Sequence, residues 1–82
     1  MSDKFAPIYL KDPRLDQAHE ITSVTEALGY IHGLWPRHPN SKRETAEQIC
    51  RQALAGDIST EEARELIYQT AMGADLLEGD ED

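Results

Sequence analysis

The sequence predicts an α+β fold, an N-terminal β-hairpin packed on three amphipathic α-helices. Three observations predict it. A Ser-x-x-Glu pattern occurs at Ser23–Glu26 (SVTE), Ser41–Glu44 (SKRE) and Ser59–Glu62 (STEE), and this spacing is that of a capping box, in which serine and glutamate satisfy the first free N–H groups of a helix. Apolar residues spaced by three and four follow each box, so each segment has one face to bury. The first 22 residues have no such spacing; they hold two short apolar-alternating runs around a cluster of turn-forming residues.

The hairpin comes first. In PIYLK, Ile8 and Leu10 alternate with Tyr9, and a weaker run, AHEIT, covers 18–22. Strands are expected near 6–11 and 17–22, with Asp12-Pro13 opening the turn because proline presets φ there. Two strands alone are marginal in water, so they must lie on the helices, and at least one edge stays unpaired. Helix one follows Ser23, with Ala27, Leu28, Ile31, Leu34 and Trp35 on its stripe, and Pro36 stops it because the residue before a proline resists helical φ/ψ. Helix two follows Ser41 and carries Ala46, Ile49, Cys50, Ala53 and Leu54. Gly56 sits where a left-handed helix end favours a residue without Cβ. Helix three follows Ser59, with Ala63, Leu66, Ile67, Thr70 and Ala71, and is expected to fray near Gly73; Ile58 can staple onto Ala63. The expected core is Leu28, Ile31, Trp35, Ile49, Cys50, Leu54, Leu66 and Ile67.

Size and charge narrow the functional classes. At 82 residues the chain makes one small domain, expected over 1–77, before an acidic, solvated tail at 78–82. A core this small leaves little stability to spare. Sixteen acidic against eight basic residues give a net charge of −8, which argues against coating nucleic acid, since that affinity comes from cationic phosphate contacts. Apolar runs reach only three residues, too short to cross a membrane. One cysteine rules out an internal disulfide, and no signal-like segment follows Met1, so the expected compartment is the cytoplasm.

The order and spacing of several residues resemble a family of short bacterial proteins, the domain of unknown function 982 family. The resemblance rests on Phe5 and Pro7 at the first strand, on Ser23, Glu26, Ala27, Trp35 and Pro36 across helix one, on Ala46, Cys50, Ala53, Leu54 and Gly56 across helix two, and on Ala63 and Arg64 in helix three. It spans about residues 5 to 77. The chain departs from the family pattern at His38, Pro39 and Asn40 and in LIYQTAMGA of the last helix. The resemblance implies a fold and no reaction, cofactor or catalytic residue.

The densest chemistry lies in GYIHGLWPRHPN, residues 29–40. Trp35 falls on the apolar stripe and reads as a core anchor. His19, His32, His38 and Cys50 lack the spacings of a closed zinc site, so no metal and no cofactor are expected. Cys50 lies on a buried stripe, whereas a nucleophilic thiol needs exposure and a cationic neighbour; Arg51 can instead pair with Glu47 one turn back. With no nucleophile elbow or phosphate loop, no enzyme activity is expected. One corner is cationic: Arg37, His38, Lys42 and Arg43. Lys42 and Arg43 stand at the start of helix two, where the dipole is already positive, and helix N-termini bind anions. These four residues form a candidate site for an anion or an acidic protein partner. The leading expectation is a small non-enzymatic interaction or regulatory module, self-associating as a homodimer through the hairpin edge. The alternative is an anion- or small-molecule-binding protein using the basic corner.

Overall fold

The computed structural model describes residues 3–12, 14, 16–37 and 41–77. His38, Pro39, Asn40, Pro13 and the acidic tail at 78–82 lie outside them. The order is β1 (Lys4–Lys11), β2 (Ala18–Ser23), α1 (Val24–Gly33), α2 (Arg43–Leu54) and α3 (Thr60–Gly73), the α+β arrangement of a hairpin followed by three helices. β1 and β2 are antiparallel, pairing Ile8 with Ile21, Leu10 with His19 and Lys11 with Ala18. The register shifts between Lys4 and Ile8, so Phe5, Ala6 and Pro7 lie in a bulge. Proline suits that place, because it has no N–H to give the ladder.

Two capping serines act as the spacing predicts. Ser23 Oγ accepts the Glu26 N–H and Ser59 Oγ accepts the Glu62 N–H, each at 3.0 Å. Glu26 reaches back one residue further than a simple box, accepting the Thr22 N–H and hydroxyl at 2.8 Å. The box at Ser41 does not form. Lys42, at φ 61°, is the N-cap of α2, and Ser41 is buried beneath Trp35, whose Nε1–H donates to the Ser41 carbonyl at 2.6 Å. Packing of the indole overrides the local cap: the chain turns through left-handed Lys42, and the Ser41 carbonyl meets the buried indole N–H.

The ends of α2 and α3 are closed by Schellman motifs, in which a left-handed residue turns the chain and two N–H groups return to the last turn. After α2 the left-handed residue is Gly56, at φ 85°, with Gly56 N–H on Ala53 O and Asp57 N–H on Gln52 O. After α3 it is Asp75, at φ 62°, with Asp75 N–H on Met72 O and Leu76 N–H on Ala71 O. The expected fraying near Gly73 is therefore corrected. The helix stops there, but the chain folds back and buries Leu76 in the core.

The core draws Ile8, Leu10 and Ile21 from the hairpin and small residues from the helix faces, with Ala27, Ala46, Ala63 and Ala71 almost fully buried. Ile31, Trp35, Ile49, Cys50 and Ile67 are buried among them, and Leu28 and Leu66 pack partly against them. Leu54, expected in the core, is 51% exposed. At 3.6 residues per turn it lies about 90° from the middle of the Ala46–Ile49–Cys50–Ala53 stripe, in the helix's last turn. Leu28 and Leu66 flank their own stripes in the same way. Alanines hold the middle, where helix backbones approach closest, and leucines seal the sides.

Candidate interaction surface

Two described members of the basic corner, Arg37 and Arg43, turn out to cap the end of α1. Arg37 Nη2–H donates to His32 O at 2.6 Å, and Arg43 Nε–H donates to Ile31 O at 3.2 Å. Both carbonyls belong to the last turn of α1, the negative end of its dipole. Lys42 lies with its aliphatic end over Gly73, the last residue of α3. The folded chain brings the start of α2 against the ends of α1 and α3, so charges unfavourable for their own helix are favourable for its neighbours. Arg37 and Arg43 thus come together on α1, while Lys42 is drawn to α3.

A second cluster closes the hairpin. The Asp12 carboxylate is buried; it accepts the Arg14 backbone N–H at 2.8 Å and His19 Nε2–H at 2.9 Å. The His19 bond, then the Arg14 N–H, hold its carboxyl down at about 2. The His19 ring meets Tyr30 edge-on, Tyr30 meets Trp35 the same way, and the Tyr30 hydroxyl donates to Lys11 O. Burial pushes the Tyr30 phenol up to about 12. Asp12, His19, Tyr30 and Trp35 form one continuous column from the hairpin turn to the end of α1. Cys50 is fully buried, and burial, with Glu47 nearby, raises its thiol to about 12, so the neutral thiol persists at physiological pH. Glu47 accepts both Arg51 Nη2–H at 2.6 Å and His32. Among the described residues no three of His, Cys, Asp and Glu gather as a metal-binding group.

The two edges of the hairpin differ. The outer edge of β1 is covered by the chain itself. Lys11 N–H donates to Leu76 O at 2.8 Å, Leu10 bridges to Leu77, and Arg64 donates from Nε to Ala6 O at 2.8 Å and from Nη2 to Pro7 O at 3.4 Å. Because the Lys11 N–H points away from β2, Lys11 and Ala18 are a non-hydrogen-bonded pair. Alternation makes Tyr9 and Glu20 another. The backbone N–H and C=O groups of Ala18 and Glu20 therefore point out of the far edge of β2. At Thr22 the outward N–H is capped by Glu26. Among the described residues no strand pairs with this edge. Beside it runs a groove of about 300 Å³ between β2 and α1, lined by His19, Glu20, Ile21, Glu26, Gly29, Tyr30 and Leu34.

The family model described as protein of unknown function DUF982 matches residues 6–77. The chain belongs to the DUF982 family. The NMR structure of Agrobacterium tumefaciens protein Atu1219 is similar to this DUF982 chain, with a TM-score of 0.72 and 24% sequence identity. The match covers 96% of this chain and 79% of that one, and at this identity it shows the fold alone. No curated protein matches.

The residues that tie the chain to DUF982 act structurally. Pro7 sits in the bulge, Arg64 seals it, Ser23 and Glu26 cap α1, Trp35 anchors Ser41, and Gly56 closes α2. Sequence reasoning missed the difference between the two edges and the groove beside one of them. Pro7 was the available signal, since a proline marks a strand edge that cannot pair fully. The return of 76–77 has no local signature. Asp12 carried one: an Asp whose side chain accepts an N–H two residues on is an Asx-turn.

Proposed function

We propose that this protein is a small non-enzymatic interaction module that works by adding a strand to the outer edge of β2. The observation that carries the reading is the contrast between the hairpin's two edges, β1 covered by Arg64 and the 76–77 segment and β2 bearing outward N–H and C=O groups at Ala18 and Glu20. Strand addition uses those main-chain groups for affinity and flanking pockets for selection. Self-association through the hairpin edge is one form of this chemistry, and the coverage of β1 directs it to β2.

The candidate nucleophiles support a non-enzymatic role. The Cys50 thiol is buried and held neutral, and the hydroxyls of Ser23 and Ser59 accept helix N–H groups. The test is selection of short random displayed peptides on the wild-type protein, counter-selected on Glu20→Pro. That proline removes an outward N–H and leaves the β1–β2 ladder intact. Peptides that bind the wild type and not the proline variant are expected. A pool with no edge-dependent binder, alongside a protein that sediments as a monomer at micromolar concentration, overturns the reading.

A further inference from the structure

We infer that the occupant of the β2 edge is an extended segment of another protein in which basic and apolar residues alternate. The inference rests on the strand-addition reading and names the partner chemistry of that same edge. The pleat decides which side chains such a segment presents. A strand pairing with Ala18 and Glu20 places the residue opposite Glu20 on the same face as Glu20, within about 5 Å between Cβ atoms. That face is exposed, and the Glu20 carboxylate accepts there a long 3.4 Å contact from the Tyr9 hydroxyl. A cation is the complementary choice there. The segment's next residue points to the opposite face and enters the groove, whose walls are Ile21 on β2 and Gly29, Tyr30 and Leu34 on and after α1.

An apolar side chain fits that space. A Cβ built on Gly29 would meet no atom within 4 Å, so the missing side chain leaves room for a neighbour's. Glu26 adds a second carboxylate at the groove's rim; hydrogen bonds from the Thr22 N–H and hydroxyl hold its pKa below the ordinary value, so it stays charged. The same bonds close the Thr22 end of the edge and confine pairing to Ala18 and Glu20.

Charge separates this occupant from a second copy. Another copy brings its own Glu20 to the edge and a net charge of −8, and like charges directly across a strand pair are destabilising. A basic segment meets two carboxylates and a negative chain, and is steered to them at low salt.

The probe is a fluorescein-labelled peptide of alternating lysine and valine, titrated with the full chain. Its counterpart carries glutamate for lysine. The lysine peptide is expected to bind at least tenfold more tightly than the glutamate peptide. Glu20→Gln with Glu26→Gln is expected to weaken it by roughly tenfold, as two partly exposed ion pairs allow, and to narrow the gap between the peptides. Glu20→Pro, compared with Glu20→Gln so that charge is matched, is expected to cost a further tenfold or more; Ala18→Pro makes the same comparison at the first strand position if Glu20→Pro melts early. No binding of the lysine peptide, equal binding of the two peptides, or a wild-type dimer that the lysine peptide cannot displace each overturns the inference. Peptide binding indifferent to both prolines sinks the strand-addition reading itself.

Discussion

At the scale of single residues, Trp35 and Asp12 are the two side chains whose removal is most informative. Trp35 is 2% exposed and donates its indole N–H to Ser41 O. Burying an indole removes about 150–250 Å² from water, worth at most ~4–6 kcal/mol at 25 cal/mol per Å². Trp35→Ala should destabilise by about 3–5 kcal/mol, enough to unfold much of a small domain, and Trp35→Phe by about 1–3 kcal/mol through the orphaned Ser41 carbonyl; urea unfolding followed by far-UV circular dichroism measures both. Asp12 is different in kind, since its contribution depends on charge. Its pKa falls from 3.8 to about 2, chiefly through the His19 hydrogen bond. A carboxyl depressed on folding stabilises above its unfolded value and stops doing so as pH falls through its folded value. The stability gap between wild type and Asp12→Asn should therefore be full at pH 5, shrink between about pH 4 and 2, and vanish below that. A gap unchanged down to pH 2 refutes the assignment. The burial of Trp35 was legible from its apolar stripe. The Asp12–His19 pair was not, because it joins residues on two strands and requires the hairpin register.

At the scale of elements, backbone conformation decides. Gly56 and Asp75 occupy equivalent left-handed positions at the ends of α2 and α3, but only one is glycine. Asp75→Gly should raise stability by about 0.5–1 kcal/mol, because glycine adopts positive φ without a Cβ clash, and Gly56→Ala should lower it by about 1 kcal/mol. Gly29, inside α1 with free space around it, should gain about 0.5–1 kcal/mol on substitution by alanine. Thermal melts of the three variants, each against wild type, check the signs. Two of the three capping serines were readable because a cap is a local hydrogen bond. Ser41 was misread because the burial of Trp35, six residues away, outweighs a cap worth about 1 kcal/mol. Leu54 was misread because the three-and-four spacing admits the flank of a stripe as readily as its centre, and only the neighbouring helices show where the centre lies.

At the scale of the whole molecule, the arrangement of termini and edges matters most. The C-terminal ends of α1 and α3 converge on the start of α2, which makes Arg37 and Arg43 caps for α1 and lays the Lys42 side chain against the end of α3. Removing such a cap is expected to cost stability: Arg43→Ala should destabilise by about 0.5–1.5 kcal/mol, the range for one exchanged hydrogen bond, as measured by urea unfolding. Arg64 does comparable work across the fold, tying α3 to the bulge of β1. Arg64→Ala should expose the Ala6 and Pro7 carbonyls and open that part of the β1 edge, seen as new self-association by sedimentation.

What the amino-acid order determined by itself is the list of elements: a hairpin, then three helices, two of them with their starting residues, and an indole committed to the interior. These follow from interactions within a few positions of chain, where periodicity, caps and prolines act. The tertiary structure alone decided which edge of the hairpin is open, which side of each stripe is buried and where the corner's cations find partners. Those outcomes depend on groups far apart in sequence, Arg64 with Ala6, Leu76 with Lys11 and Arg43 with Ile31, whose meeting is set by packing and not by any local preference.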